Sequence, residues 1–385
     1  MSTNVFLAPP SIFYGAKAIK EATNKLIGLG NKALIVSGNS AVRLGYIKEI
    51  TDILDQNNIE AVIYAQIGAE PDDNHVSKGV DLYQNNSCDF LIAIGGGSPL
   101  DAAKAIGLMV TNPGQVSDYM GLGKVENPIP PLVAIPTTAG TGSEVTQYTI
   151  INDIANDIKM LIGSPYLIPE AAIVDPVLTL SVPSRVTAAT GIDALTHAIE
   201  GYTSIKNQPL TDNLALSAIN RIAKNLRIAC SEGDNQEARS QMILAAMEAG
   251  MVINNSSVTL VHGMSRPIGA LFHIPHGVSN ALLLGDCLDY AKDGNIERFA
   301  RVAKAMGVAD TYNSNLELAK AGIEAIKKLC ADIKIPNILD LGIKQEEFLA
   351  QIDKMADDAL ASGSPANTYR QPSKADIVKI YKQLI

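Results

Sequence analysis

The run Phe90-Leu91-Ile92-Ala93-Ile94 passes without a break into Gly95-Gly96-Gly97-Ser98-Pro99-Leu100-Asp101, and the chain continues as an apolar helical stretch from Ala102 to Val110. A strand that is apolar at every position must be covered on both faces. The same alternation precedes it: a strand at 33–37, a helical stretch from Ala41 to Asn57, a strand at 61–64 and a helical stretch from Asn74 to Asn85. Strands that alternate with helices in this way predict a parallel sheet with helices on both sides. A further strand, 132–135, follows the Pro-rich segment 127–131.

Three glycines between a strand and a helix let the backbone approach an anion closely, and the free N–H groups and positive end of the helix attract it. The segment Gly95 to Ser98 therefore predicts a phosphate cradle, although a tight turn would also use glycine for its conformation alone. It matches neither the G-x-G-x-x-G nor the G-x-x-x-x-G-K-[ST] pattern. The strand at 132–135 opens into Pro136-Thr137-Thr138-Ala139-Gly140-Thr141-Gly142-Ser143-Glu144-Val145-Thr146. Such a loop offers many hydroxyl donors with little bulk. Two polar loops ending successive strands are the stronger signal, because ligands of open α/β sheets bind at the carboxyl ends of strands.

Beyond Asp175-Pro176 the strand-like runs stop, and amphipathic patterns take over at about 212–229, 236–254, 296–306, 316–333, 345–361 and 374–385. A boundary near Leu180 to Pro183 divides the chain into an α/β part, 1–181, and an all-helical part, 182–385. Within Ala189 to Tyr202 the apolar positions Ile192, Leu195, Ala198 and Ile199 indicate a helix. Its period puts Asp193 and His197 on one face. An Asp-x-x-x-His pair is more often an ordinary polar pair. The chain has only five histidines, however, and His262 and His276 lie in Gly- and Pro-containing contexts where a loop can bring a ligand to the helix. One carboxylate and three imidazoles suit Fe(II), Zn(II), Ni(II) or Co(II) better than Ca(II) or Mg(II).

With 385 residues, 47% of them hydrophobic, the chain can bury a core large enough for two domains. Its net charge of −9 (31 basic against 40 acidic residues) and the absence of a basic stripe argue against nucleic acid or anionic membranes as partners. No apolar run has the length of a membrane span, and the first ten residues have neither a basic start nor a sustained apolar stretch, so a cytoplasmic location is expected. Cys88, Cys230, Cys287 and Cys330 form no C-x-x-C pair and read as free thiols.

Taken together, Gly95-Gly-Gly-Ser-Pro-Leu-Asp101, Thr137-Thr-Ala-Gly-Thr-Gly-Ser-Glu144, Ala188 to Gly201, Val261-His-Gly-Met264 and Ile274-Pro-His-Gly-Val278 resemble the iron-containing (group III) alcohol dehydrogenases over nearly the whole chain. The resemblance implies an N-terminal α/β dinucleotide-binding domain with a Rossmann-like parallel sheet, and an all-α C-terminal metal-binding domain of the dehydroquinate synthase-like fold. It implies that Asp193, His197, His262 and His276 bind the metal, Fe(II) first and Zn(II) or another divalent ion as alternatives. It also implies that Gly95, Gly96, Gly97, Ser98 and Asp101 hold the pyrophosphate region, that Gly38 and Ser40 lie by the adenosine ribose, and that Thr137, Thr138, Thr141, Thr146 and Lys159 line the ribose and nicotinamide side. The activity implied is interconversion of a small primary alcohol or diol with its aldehyde by NAD(H) or NADP(H), in a homo-oligomer that is at least a dimer. A dehydroquinate-synthase-like lyase or a glycerol-dehydrogenase-like polyol dehydrogenase is the alternative.

Two features depart from the family pattern. Where the family commonly has a further histidine four residues after the third ligand, this chain has Arg266, which can draw in an anionic substrate group or form a structural ion pair; the ion pair is the preferred reading. His273, three residues before His276, is expected to share in the proton relay beside His276 and Arg266, while His75 is expected to be exposed and unpartnered. The strand at 33–37 is followed by Gly38-Asn39-Ser40, with no acid from Ser37 to Lys48 and with Arg43 nearby. An acid there would bond the ribose 2′-OH and repel a 2′-phosphate. Its absence predicts that NADP(H) is accepted and preferred.

Overall fold

A computed structural model describes residues 3–68, 70–156, 158–309 and 311–385. The chain separates into two compact units, Leu7–Leu180 and Ser181–Ile385, the latter together with the N-terminal residues up to Phe6.

The first unit contains strands β1 (Ser11–Tyr14), β2 (Lys32–Ser37), β3 (Glu60–Tyr64), β4 (Phe90–Gly95), β5 (Gly121–Leu122), β6 (Leu132–Pro136), β7 (Tyr148–Asp153), β8 (Ile158–Gly163) and β9 (Ala171–Val174). Its helices are α1 (Ala18–Glu21), α2 (Thr23–Ile27), α3 (Asn39–Arg43), α4 (Tyr46–Asp55), α5 (Asp73–Asn85) and α6 (Gly97–Thr111). Six strands form one sheet in the order β1-β9-β6-β4-β2-β3, and every adjacent pair is parallel. The continuous apolar runs follow from this. Ala33, Ile35, Phe90, Ile92, Ile94, Val133 and Ile135 face one core with residues of α1, α2 and α4. Leu34, Val36, Leu91, Ala93 and Ala134 face a second core with α5 and α6. Each fully buried Leu, Ile or Phe contributes about 1.5–3 kcal/mol, so the sheet is fixed from both sides.

The structure departs from the sequence expectation at three places. The single helix expected over 41–57 is two, because Gly45 turns the chain at φ +81° between α3 and α4. Helix α6 starts at Gly97, five residues before the expected position, so the glycine triplet is no separate loop: Gly95 ends β4, Gly96 is the N-cap and Gly97 opens the helix. Strands β5, β7 and β8 form a separate small sheet in which β7 and β8 are antiparallel.

In the second unit the helices are α7 (Ser184–Thr203), α8 (Pro209–Ser231), α9 (Gln236–Asn255), α10 (Leu260–Phe272), α11 (His276–Ala291), α12 (Ile296–Ala305), α13 (Asn315–Asp332), α14 (Gln345–Ala361) and α15 (Lys374–Tyr381). Helix α7 is buried on nearly every face from Thr187 to Thr203. Helices covered all round are interior elements. The close packing is set by small residues: a Cβ at Gly191 would lie 2.4 Å from Leu226 of α8, and one at Gly201 would lie 2.3 Å from Val252 of α9. His262 and His276 stand on helices, contrary to the loop expectation. Pro267 lies inside α10 and Pro275 caps α11, so the prolines that suggested loops flank or interrupt helices instead. None of the described helices is long and apolar enough to cross a membrane.

Candidate metal centre and nucleotide-binding loops

Helix α7 presents Asp193 and His197 one turn apart, as the 3.6-residue period requires. Helix α10 supplies His262, and His276 opens α11. The four potential ligand atoms lie within 4.8 Å of one another. From Asp193 Oδ1 the distances to the Nε2 atoms of His197, His262 and His276 are 3.8, 3.5 and 3.6 Å. Four donors about 2.1 Å from a common ion stand roughly 3.4 Å apart in a tetrahedron, so a first-row ion fits with small adjustments.

Neighbouring side chains orient these donors. Glu200 is fully buried, and its Oε2 lies 2.5 Å from His262 Nδ1 while its Oε1 accepts from Thr259 Oγ1 at 2.7 Å and from the Val261 N–H at 2.6 Å. This contact keeps the proton on Nδ1 and turns the Nε2 lone pair toward Asp193. Burial disfavours a charge on His262, but Glu200 and Asp193 outweigh it and raise its pKa to about 9, so its Nε2 favours a bound positive charge, a proton or a metal ion, over a free lone pair. For Asp193 burial acts to raise the pKa, yet the three imidazoles hold the carboxyl well below the usual range. Asn280, one turn after His276, places Nδ2 at 2.7 Å from Asp193 Oδ1, 3.1 Å from His262 Nε2 and 3.2 Å from His276 Nε2. An amide has two protons for these three acceptors, so one lone pair is always left to another electrophile. Its Oδ1 is buried without a hydrogen-bond partner. Such a donor set suits a cation.

The other candidate residues fall at the ends of adjacent parallel strands. Ser37 pairs with Ile94 and Gly95 with Pro136, so Gly38, the glycine triplet and Thr137 follow side by side at the carboxyl ends of β2, β4 and β6. The chain order reverses between β2 and β4, which is where open α/β sheets bind ligands. The three glycines differ. Gly95 has φ +151° and lies against Pro99, and a Cβ at Gly97 would meet Thr141 at 2.9 Å. Gly96 has ordinary φ, and its nearest neighbour would be Thr138 at 3.5 Å. The fold thus demands glycine at 95 and 97, whereas at 96 the missing side chain leaves open room at the first turn of α6.

Several sequence candidates occupy supporting positions. Asp101 accepts from Ser143 Oγ at 2.6 Å and from the Ile150 N–H at 3.0 Å. Both carboxylate oxygens are therefore used by the protein, and Asp101 acts on the hydroxyl loop rather than as a free group in the cradle. Thr146 is buried and accepts from Lys104 Nζ at 3.1 Å. Lys159 forms an ion pair with Glu70 at 2.5 Å. Ser40 and Arg43 are exposed on α3. His273 is exposed and holds a left-handed conformation, φ +53°, at the end of α10. His75 is half-buried in a capping box with Asp72 at 2.7 Å, which corrects its assignment as an unpartnered surface residue. Arg266 also departs from expectation. Among the described residues it has no carboxylate partner, and Nη1 donates to Ser364 Oγ at 3.1 Å.

Sequence reading gave no role to Lys104, Glu200 or Asn280. Lys104 is fully buried, and its ammonium donates to the carbonyls of Ser143, Thr146 and Tyr148 at 2.7–2.8 Å and to the hydroxyls of Ser143 and Thr146 at 3.1 Å. The hydroxyl loop is thereby shaped from beneath. Burial lowers the Lys104 pKa to about 8 and raises that of nearby Glu144 to about 7. A polar residue amid apolar neighbours at helical spacing was the available signal for these groups.

Both halves of the chain match one family: residues 9–176 match the iron-containing alcohol dehydrogenases, and residues 187–385 match the C-terminal part of the Fe-containing alcohol dehydrogenase family. The 1,3-propanediol dehydrogenase of Citrobacter freundii is 39% identical over 383 residues, 98% of each chain, and the lactaldehyde reductase of Escherichia coli (strain K12) is 37% identical over 382 residues, again 98% of each. The solved structure of a 1,3-propanediol oxidoreductase superposes with a TM-score of 0.96 at 37% identity, covering 100% of both chains. The chain belongs to the iron-containing alcohol dehydrogenase family and is a metal-dependent, NAD(P)-linked alcohol/aldehyde oxidoreductase.

Two predictions follow from the packing. A Cβ at Gly277 would lie 2.3 Å from the Ala189 carbonyl oxygen of α7, so Gly277→Ala moves the start of α11, and His276 with it, away from α7. Thermal and denaturant melts should show a loss of about 1–3 kcal/mol, with metal retention in a competition assay weakened on the order of tenfold. Glu144 has a folded pKa of about 7 against 4.5 for the free group, so its contribution to stability is full below pH 4.5 and is lost as pH rises to about 7. Glu144→Gln should flatten the decline in unfolding midpoint between pH 4.5 and 7; an unchanged slope contradicts this account.

Proposed function

We propose that Asp193, His197, His262 and His276 hold a divalent first-row metal, Fe(II) first and Zn(II) as the alternative, and that the enzyme uses it to interconvert a small primary alcohol or diol and its aldehyde. The observation that carries this reading is the convergence of one carboxylate oxygen and three Nε2 atoms within 4.8 Å. When bound, such a metal lowers the pKa of an alcohol and polarises an aldehyde carbonyl. The chain's own groups prepare for it: Glu200 fixes the His262 tautomer and Asn280 steadies Asp193. The dinucleotide is held at the ends of β2, β4 and β6, with its pyrophosphate at Gly96, Gly97 and Ser98, its adenosine ribose by Gly38 and Ser40, and Thr137, Thr138 and Thr141 along the nicotinamide side. Asp101 and Thr146 act indirectly by fixing the hydroxyl loop. The same reading makes the protein a homo-oligomer, a dimer at least, on the strength of its family resemblance, and we expect it in the cytoplasm.

NADP(H) is accepted and preferred in this reading. Gly38 precedes α3 without a side chain, no acid lies between Ser37 and Lys48, and Arg43 is exposed on the same short helix. Nothing there repels a 2′-phosphate.

Chelation should abolish aldehyde-dependent NAD(P)H oxidation, and refilling with Fe(II) or Zn(II) should restore it; turnover that survives complete metal removal overturns the assignment. The refilled enzyme, run on a panel of small aldehydes with both cofactors, should give a kcat/KM ratio in favour of NADPH. In Gly38→Asp the ratio should fall by roughly 10–100-fold, with Gly38→Ala as the control for the 3.0 Å approach of a Cβ to the Ile67 carbonyl. A wild-type ratio that clearly favours NADH refutes the cofactor preference.

A further inference from the structure

Three cationic side chains in the molecule are withdrawn from solvent without a carboxylate salt bridge among the described residues, and two of them are fully engaged. Lys104 directs its ammonium at five oxygens. Arg239 donates to the Gly233 carbonyl at 2.8 Å, the Thr187 hydroxyl at 2.7 Å and the Val182 carbonyl at 2.9 Å. Arg266 is different. Of its five N–H donors, one is used among the described residues, on Ser364 Oγ. The remaining donors have no protein partner among the described residues and stay open to solvent at a half-buried site.

Its position gives the reason. Arg266 lies four residues after His262 on α10, so the two share a face. Its charge acts on His276 and on Glu200, yet Glu200 is already committed to Thr259, Val261 and His262. Ser364 stands beside Pro365, whose ring would be 2.6 Å from a Cβ at Gly263, so the loop carrying the serine packs against the same turn of α10 that carries His262. The guanidinium is thus held beside the four donors by a neutral hydroxyl, with the planar fork that suits a carboxylate or sulfonate.

We propose that Arg266 binds an anionic group on the substrate, so that the preferred aldehydes of this enzyme carry a carboxylate or sulfonate besides the carbonyl. The inference rests on reading Asp193, His197, His262 and His276 as the metal site. The reaction itself is unchanged: a hydride passes from NAD(P)H to the carbonyl carbon and a proton to its oxygen, giving a hydroxy acid or hydroxy sulfonate. Arg266 acts through binding and orientation.

The test compares kcat/KM on the metal-loaded enzyme for two pairs, 4-oxobutanoate against its methyl ester and 2-oxoethanesulfonate against propanal. Wild type should favour the anionic member of at least one pair by roughly tenfold or more, and the pair that shows it separates carboxylate from sulfonate recognition. In Arg266→Gln that ratio should collapse by roughly 10–100-fold, whatever common change affects the neutral aldehydes, while Arg266→Lys, which keeps the charge, should retain part of it. The dissociation constant of 4-hydroxybutanoate or 2-hydroxyethanesulfonate, whichever matches the favoured pair, should rise by a similar factor in Arg266→Gln, read from fluorescence of bound NADPH. A wild-type enzyme without anionic preference overturns the proposal without any variant. So does a variant in which both members of each pair fall together with the melting temperature, the pattern of a purely structural arginine. Failure of every aldehyde, neutral ones included, instead refutes the metal-site reading.

Discussion

The second unit depends on a charge placed where charges are costly. Glu200 is fully buried in α7, and three donors from one short segment hold it: the Thr259 hydroxyl, the Val261 N–H and the His262 ring. Removing any of these would leave a carboxylate partly unsatisfied in the interior, at a cost of about 1–3 kcal/mol or more. The contact does two things at once. It ties the start of α10 to the middle of α7, and it sets which His262 nitrogen keeps a lone pair. Packing and coordination chemistry therefore share one interaction, and α7 is the element from which both are organised.

Much of this was legible in the residues. Continuous apolar strands such as 90–94 announced a doubly covered sheet, and their alternation with helices gave its parallel sense. The junction of β4 with the glycine triplet placed a polar loop at a strand end, and the registers of β2, β4 and β6 put the other two loops beside it. Asp193 and His197 were readable because helical spacing converts sequence distance into a shared face. What could not be read was anything depending on which segments meet. Pro267 and Pro275 looked like loop formers, and only packing against α7 and the residue 361–368 loop shows that helices persist around them. Arg266 was read as one half of an ion pair, and only the folded protein shows that its partner is the Ser364 hydroxyl, with no salt-bridged carboxylate among the described residues. Glu200 and Asn280 carry only a weak local signature, a polar residue among apolar neighbours, because a polar residue on a helix is usually solvated.

The glycines show why a motif and its cause should be kept apart. Gly95, Gly97, Gly277 and Gly263 are each required by a neighbour in the folded protein, whether a ring, a methyl group or a carbonyl oxygen. Gly96 is required by none of them. Identical residues in one triplet thus answer to different demands, and a count of glycines cannot separate them.

Lys104 has a wider consequence for how such an enzyme can change. Its ammonium, fully buried, dictates the path of the residue 143–148 backbone from below. The scaffold under the proposed cofactor site is thus written in residues selection can hold fixed, while the rim at Gly38 to Ser40, at the start of α3, takes no part in the hydrogen bonds of Lys104. Drift in cofactor preference can therefore proceed along the rim one residue at a time, with the floor beneath it left as it was.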